Sequence, residues 1–224
     1  MVAEDIEPNV EADLHPFASR GGLKLEHALN TFSSLSIENK NAIDIGASTG
    51  GFTDCLLQRG VSKVIAVDVG YGQLDWKLRS DARVQSIDRT NARYLKLDDI
   101  GGQALDLAVI DVSFISLRLI LPAVVTLLKA EGDIIALVKP QFEVGKAEVE
   151  NKGIIKDPRK HLQVLLNVRD SAKGLGWNLQ GLVVSPVTGQ KGNREFLIHL
   201  NRDSQANNID DEQIEAIVNE GVTR

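Results

Sequence analysis

The run Ala42-Ile43-Asp44-Ile45-Gly46-Ala47-Ser48-Thr49-Gly50-Gly51-Phe52 constrains this chain more than any other feature. A short, mostly apolar stretch enters a glycine-rich turn, and a helical pattern follows. This is the strand–turn–helix opening of a doubly wound α/β sheet, in which ligands gather at the carboxyl ends of the strands. Glycines at such a turn let the backbone approach a ligand closely, because no Cβ intervenes. A dinucleotide-binding turn would favour G-x-G-x-x-G, with a pyrophosphate at the helix N-terminus. Here Gly46, Gly50 and Gly51 are spaced differently, and Asp44 precedes them. A carboxylate close to the turn repels a pyrophosphate but attracts a cationic sulfonium or its amino group. The turn therefore favours S-adenosylmethionine over a nicotinamide dinucleotide. Its candidate contacts are Asp44, Gly46, Ala47, Ser48, Gly50, Gly51 and Phe52.

The rest of the chain continues the alternation of strand and helix. Strands are predicted at 42–45, 63–68, 83–87, 105–111 and 133–139, with two more at 179–185 and 195–200. Most are continuously apolar, as strands buried on both faces should be. Leu25, Ala28, Leu29 and Phe32 recur at helical spacing and predict an amphipathic helix over 22–32. Asp157-Pro158 offers a cap and a first-turn proline, and Lys173-Gly174 a stop, for a helix on which Leu162, Leu165, Leu166 and Arg169 fall on one side. Ile214, Ile217 and Val218, stopped by Gly221, predict a last short helix. The expectation is an α/β fold of Rossmann type, a seven-stranded, mostly parallel sheet flanked by helices. One domain over 19–202 would lie between an acidic segment at 1–18 and an acidic helical tail at 203–224.

The strand tips carry the remaining chemistry. Asp68, followed by Val69, ends the second strand 22 residues after Gly46, where a carboxylate can accept both hydroxyls of an adenosine ribose. Asp88 and Asn91 follow the third strand and offer polar groups to an adenine edge. Asp111 ends the fourth strand and Lys139 the fifth. A lysine closing an apolar strand needs an acid nearby, and Asp111 on the neighbouring strand is its natural partner.

Six segments in order carry a resemblance to a known family: Ser19 to Leu25, the Asp44–Phe52 turn, Asp68 to Leu74, Arg89 to Arg93, Asp111 to Leu117 and Val138 to Glu143. Together they resemble the hemolysin-A-like (TlyA-type) ribosomal RNA ribose methyltransferases, related to the FtsJ-type enzymes, over about residues 19–201. The resemblance implies a class I S-adenosylmethionine methyltransferase acting on a ribose 2′-hydroxyl of ribosomal RNA. It also implies a Lys-Asp-Lys-Glu tetrad, which falls on Lys24, Asp111, Lys139 and Glu195. Lys139 would serve as base when its ammonium has given up a proton, Asp111 would orient it, and Lys24 and Glu195 would hold base and ribose in register. The family also implies an S4-like RNA-binding module ahead of Ser19, where eighteen residues stand here. A methyltransferase acting on something other than RNA, and a catalytically silent RNA- or cofactor-binding protein, remain as alternatives.

Charge fits an RNA substrate once its distribution is considered. The formal net charge is −6, but five acids fall in residues 1–14, and six acids with one arginine in 203–224, which leaves 15–202 at +4. Arg20, Lys77, Arg79, Arg89, Arg93 and Arg118 stand in or beside loops that could face RNA, and Tyr71 and Trp76 could stack on an unpaired base. Trp76 could equally belong to a core or hinge. The stretch 140–158, with Lys146, Lys152 and Lys156, reads as a basic lid. A single cysteine, Cys55, excludes an internal disulfide and points to a reducing compartment. Neither a signal peptide nor a membrane span is read, so the expected location is the cytoplasm, with ribosomal RNA or a ribosomal subunit as partner. Nothing suggests a metal, and the oligomeric state is not legible.

Overall fold

A computed structural model describes residues 15–145, 153–203 and 208–220 of the chain. The elements, in order, are α1 (Gly21–Thr31), β1 (Asn41–Ile45), α2 (Gly51–Gln58), β2 (Lys63–Val67), α3 (Trp76–Arg79), β3 (Val84–Ile87), β4 (Leu105–Ile110), α4 (Leu117–Val124), β5 (Leu128–Val138), α5 (Pro140–Glu143), α6 (Pro158–Gly174), β6 (Asn178–Val184), β7 (Phe196–Asn201) and α7 (Asp211–Asn219). The seven strands form one sheet in the order β3-β2-β1-β4-β5-β7-β6. The first five run parallel, and β7 inserts antiparallel between β5 and β6. The seven-stranded, mostly parallel α/β sheet expected from the sequence is the one observed.

Strand alternation sorts side chains into two apolar layers. Ile43, Ile45, Ile65, Val67, Ala108, Ile110, Ala136 and Val138 face the layer built with α4, α6 and α7. Ala42, Val64, Ala66, Leu107, Val109, Ile135 and Leu137 face α1 and α2. Each fully buried Leu or Ile in such a layer contributes about 1.5–3 kcal/mol of transfer free energy. Both faces being covered explains why the central parts of most of these strands read as apolar runs.

Two local readings need adjustment. β5 begins at Leu128 rather than at 133, and its pairing with β4 shifts between Leu105 and Leu107. Its early residues, Lys129, Ala130 and Glu131, are exposed and carry no apolar alternation, so nothing in the sequence marks them as strand. The apolar stretch before it is α4, capped by Ser116, which carries Pro122 inside. On α6 the buried stripe is His161, Val164, Leu165, Val168 and Ala172. Leu162 and Leu166 flank that stripe and are only partly buried. Arg169 pairs with Asp170 and Asp211.

The last helix packs on the body of the protein. Ile214 and Val218 of α7 are buried in the core layer that contains α6. Arg194, just ahead of β7, donates to the carbonyls of Ile217, Val218 and Glu220 and so closes the C-terminal end of α7. Gly221, the expected stop, and Lys146 and Lys152 of the expected lid lie outside the described residues. Among the described residues no helix is long and apolar enough to cross a membrane.

Candidate active site

The turn after β1 is shaped by two contacts that leave no room for side chains. Gly46 has φ +83°, and a Cβ there would stand 2.5 Å from the Asp111 carbonyl oxygen. A Cβ on Gly51 would stand 2.3 Å from Ser19 Oγ, so the segment leading into α1 is seated directly on the N-terminus of α2. Gly50, which lines neither of the cavities described below, is closely packed: a Cβ there would strike Leu78 and Leu74. The turn thereby draws together the ends of β1 and β4 and the start of α1.

A cleft of about 550 Å³ opens above this turn, lined among others by Ser19, Lys24, Gly46, Ala47, Ser48, Gly51, Phe52, Asp111, Ser113, Lys139 and Glu195. Lys139 Nζ lies 2.5 Å from Asp111 Oδ1 and donates to Ser113 Oγ at 3.0 Å. Lys24 Nζ donates to Glu195 Oε2 at 2.6 Å. Two amines and two carboxyls, from α1, from the residues just after β4 and β5 and from the residue just before β7, therefore face one cavity as two ion pairs. All four expected catalytic positions line it. The β4–β5 adjacency brings Asp111 and Lys139 together, as parallel neighbours with Ile110 opposite Ala136. The seat of α1 against the turn brings Lys24.

A second cavity of about 360 Å³ shares Gly46, Ser48, Asp111 and Ser113 with the first and extends past Asp68, Val69 and Asn91. Asp68 accepts from Ser48 N at 2.8 Å and from Gly70 N at 2.7 Å. Its carboxylate keeps lone pairs for further donors, since an ionised carboxyl offers about four acceptor sites. Asn91 lines this cavity, and its Oδ1 accepts from Arg93 N. A nucleoside lying across the shared residues would put its ribose at Asp68 and its reactive end between Asp111 and Gly46. The residues present therefore fit S-adenosylmethionine.

Besides Gly50, two expected cofactor contacts line neither cavity. Asp44 is fully buried beneath the turn, on the face toward α2, where its Oδ2 accepts from Thr53 Oγ1 at 2.7 Å. Its Oδ1 has no partner among the described residues. Burial pushes its pKa up to about 7, helped by the nearby charges of Asp111 and Asp68. It lines neither cavity, so any influence on a ligand passes through charge and through the turn. Asp88 is held by Arg79 and by Gly72 N, and the Arg79 guanidinium keeps its carboxyl below the usual range.

Other side chains at the site carried no strong signal in the sequence. Ser113 and Gln141, and the loop residues Val187, Thr188, Gly189 and Lys191, also line the larger cavity. The loop's clue is the glycine spacing of Thr188-Gly189-Gln190-Lys191-Gly192 shortly before Glu195. Of the expected RNA-facing groups, Arg20 lines the cleft, Arg79 is engaged with Asp88, and Arg89 and Arg93 sit over the rings of Tyr71 and Tyr94. Trp76 is 71% exposed and belongs to no core. Cys55 is buried, and burial pushes its thiol up to about 12, so it stays protonated.

Sheet order, glycine turn and strand-end acids place the molecule among the doubly wound α/β domains that take a nucleoside-type ligand at the carboxyl edge. The chain belongs to the FtsJ-like methyltransferase family, whose model matches residues 17–202. It is 48% identical over 184 residues to the 16S/23S rRNA (cytidine-2′-O)-methyltransferase TlyA of Mycobacterium tuberculosis, covering 82% of this chain and 68% of that protein. It is 43% identical to hemolysin A of Brachyspira hyodysenteriae, covering 82% of this chain and 76% of that protein. A solved structure from Streptococcus thermophilus, named as a candidate hemolysin, is 47% identical with a TM-score of 0.87, covering 93% of this chain and 75% of that chain.

Proposed function

We propose that this protein is an S-adenosylmethionine-dependent methyltransferase that acts on a ribose 2′-hydroxyl of ribosomal RNA, in the cytoplasm. One observation carries the reading: Lys139–Asp111 and Lys24–Glu195 form two ion pairs around a single cleft floored by the Gly46–Ser48 turn.

When bound, S-adenosylmethionine supplies a methyl group on a positively charged sulfur. Asp68 and Asn91 would hold its nucleoside, and Gly46, Ala47 and Ser48 would border its other end. The protein's own task is to deliver a hydroxyl oxygen in line and remove its proton. Lys139 Nζ, as the free amine, accepts that proton, and Asp111 holds the ammonium so formed. The hydrogen bond to Ser113 Oγ fixes the direction of the amine. Lys24 and Glu195 neutralise each other and wall the opposite side, which orients the ribose. With Lys139 as the free amine the quartet carries one net negative charge, which complements a sulfonium. Much of the rate would come from this alignment, since methyl transfer needs no covalent enzyme intermediate.

The test is transfer of labelled methyl from S-adenosylmethionine to intact ribosomes and to isolated subunits, followed by digestion and identification of the nucleoside. A 2′-O-methylated nucleoside is expected. Label confined to a base or to ribosomal protein would overturn the reading.

A further inference from the structure

The segments that leave β4 and β5 run side by side beyond the catalytic pair. Three cross-links join them in sequence order. Lys139 meets Asp111 and Ser113. Phe142 meets Phe114, with ring centroids 4.9 Å apart. Glu143 meets Ser116 and Leu117: its Oε2 accepts from Ser116 Oγ at 2.5 Å and its Oε1 from Leu117 N at 2.7 Å. Only the first belongs to the proposed reaction. The third is a carboxyl whose side chain is 3% exposed, placed where the first turn of α4 presents an unpaired amide.

We infer that Glu143 is a positioning residue that fixes Lys139 against Asp111 by tying the two strand-end segments together at their far end. The inference rests on the proposed role of Lys139. A buried carboxylate is costly unless its partners are good, and burial does hold Glu143 above the usual carboxylate range. Its partners compensate. Ser116 is at once the cap of α4, accepting from Arg118 N, and a donor to Glu143. Arg118 also donates to the Glu143 carbonyl, at 3.4 Å. Every one of these contacts is to the residues that follow Asp111, and Lys139 lies one helical turn behind Glu143 along the chain. Phe114 shows what the tie resists. Its backbone has φ +63° and the residue is 84% exposed, so apart from the Phe142 contact that part of the segment is little buried.

The experiment uses the full chain. Without cofactor or RNA, Lys139 is labelled with limiting acetic anhydride and its extent compared with that of Lys63, an exposed lysine at the start of β2. In Glu143→Ala the Lys139:Lys63 labelling ratio should rise several-fold, because the amine is no longer held in its pair. Glu143→Gln, which keeps an acceptor for Leu117 N, should return the ratio close to wild type. In methyl transfer, Glu143→Ala should lower kcat by about 100-fold, the scale of a misplacement of about 1 Å, with KM for S-adenosylmethionine little changed. An unchanged ratio and an unchanged kcat in a folded Glu143→Ala protein would overturn the inference. Should that variant fail to fold, Ser116→Ala decides, since it removes one of the two anchors: a smaller rise in Lys139 labelling supports the tie and no rise overturns it. The labelling needs no substrate, so wild-type protein that transfers no methyl to RNA would sink the proposed function and leave this inference to its own result.

Discussion

Lys24 and Glu195 are 171 positions apart, yet the lysine amine donates to the glutamate carboxylate at 2.6 Å with both side chains buried. Removing one partner of such a pair leaves a buried charge without compensation, at a cost of about 3–5 kcal/mol. Lys24→Met and Glu195→Leu should each lower the urea midpoint sharply. The double variant should recover most of that loss while remaining unable to transfer methyl. Recovery of activity together with stability would show that the pair is only structural.

Asp44 couples stability to pH. Its pKa is raised from the ordinary 3.8 to about 7 in the folded protein, chiefly by burial. Between these values the unfolded chain has already lost the proton while the folded one retains it. Folding stability from this group is therefore full below about pH 4 and declines as pH rises toward about 7, with a slope on the order of 1 kcal/mol per pH unit. Urea unfolding of the wild type and Asp44→Asn from pH 5 to 8 measures it. The difference between the two should change steeply up to neutrality and level off above it. Parallel curves would contradict the assignment.

Gly189 is pressed against the catalytic cleft, where an added Cβ would stand 1.9 Å from Glu195 Oε1. Gly189→Ala should push the Glu195 carboxylate off Lys24, lower kcat by about 100-fold and lower the melting temperature in the same direction as loss of either partner of that buried pair. Calorimetry with S-adenosylmethionine should give near-normal affinity, since the second cavity is untouched.

Arg194 ties α7 to the residues that lead through Glu195 into β7, by way of three backbone carbonyls. Hydrogen bonds from a charged donor contribute about 1.5–3 kcal/mol in protected settings, and partial exposure places Arg194→Ala at the lower end. Amide exchange of residues 211–219 should accelerate in that variant well before global unfolding. Unchanged exchange would mean that Ile214 and Val218 alone hold the helix.

The fold was legible because both faces of the sheet are covered, so strand segments such as 64–67 and 107–110 appear as unbroken apolar runs followed by acids. The phase of α6 was not, because Leu162 and Leu166 look as apolar as Val164 and Val168, and only packing against β6 and α7 decides between them. At the site, Asp68, Asp111 and Lys139 could be read as strand tips, since the fold concentrates ligands there. Lys24 and Glu195 came from the family resemblance, and no local pattern pairs them. Asp44 illustrates the opposite case. Period-two alternation puts it with Ala42 on the α2 face, whereas an acid beside a glycine turn suggests an open site. Glu143 was invisible as a tie because its partners lie 26 and 27 positions earlier, on a helix cap that the sequence alone does not connect to it.

The central claim is that Lys139 removes the proton of the ribose hydroxyl at a site where cofactor binding is built by other residues. The most direct measurement is single-turnover methyl transfer to ribosomal subunits by the wild type and Lys139→Ala, with S-adenosylmethionine affinity measured on the same preparations. The account predicts a loss of about 100-fold or more in the rate of 2′-O-methylation, with affinity essentially unchanged. A Lys139→Ala protein that methylates ribose at the wild-type rate would contradict it.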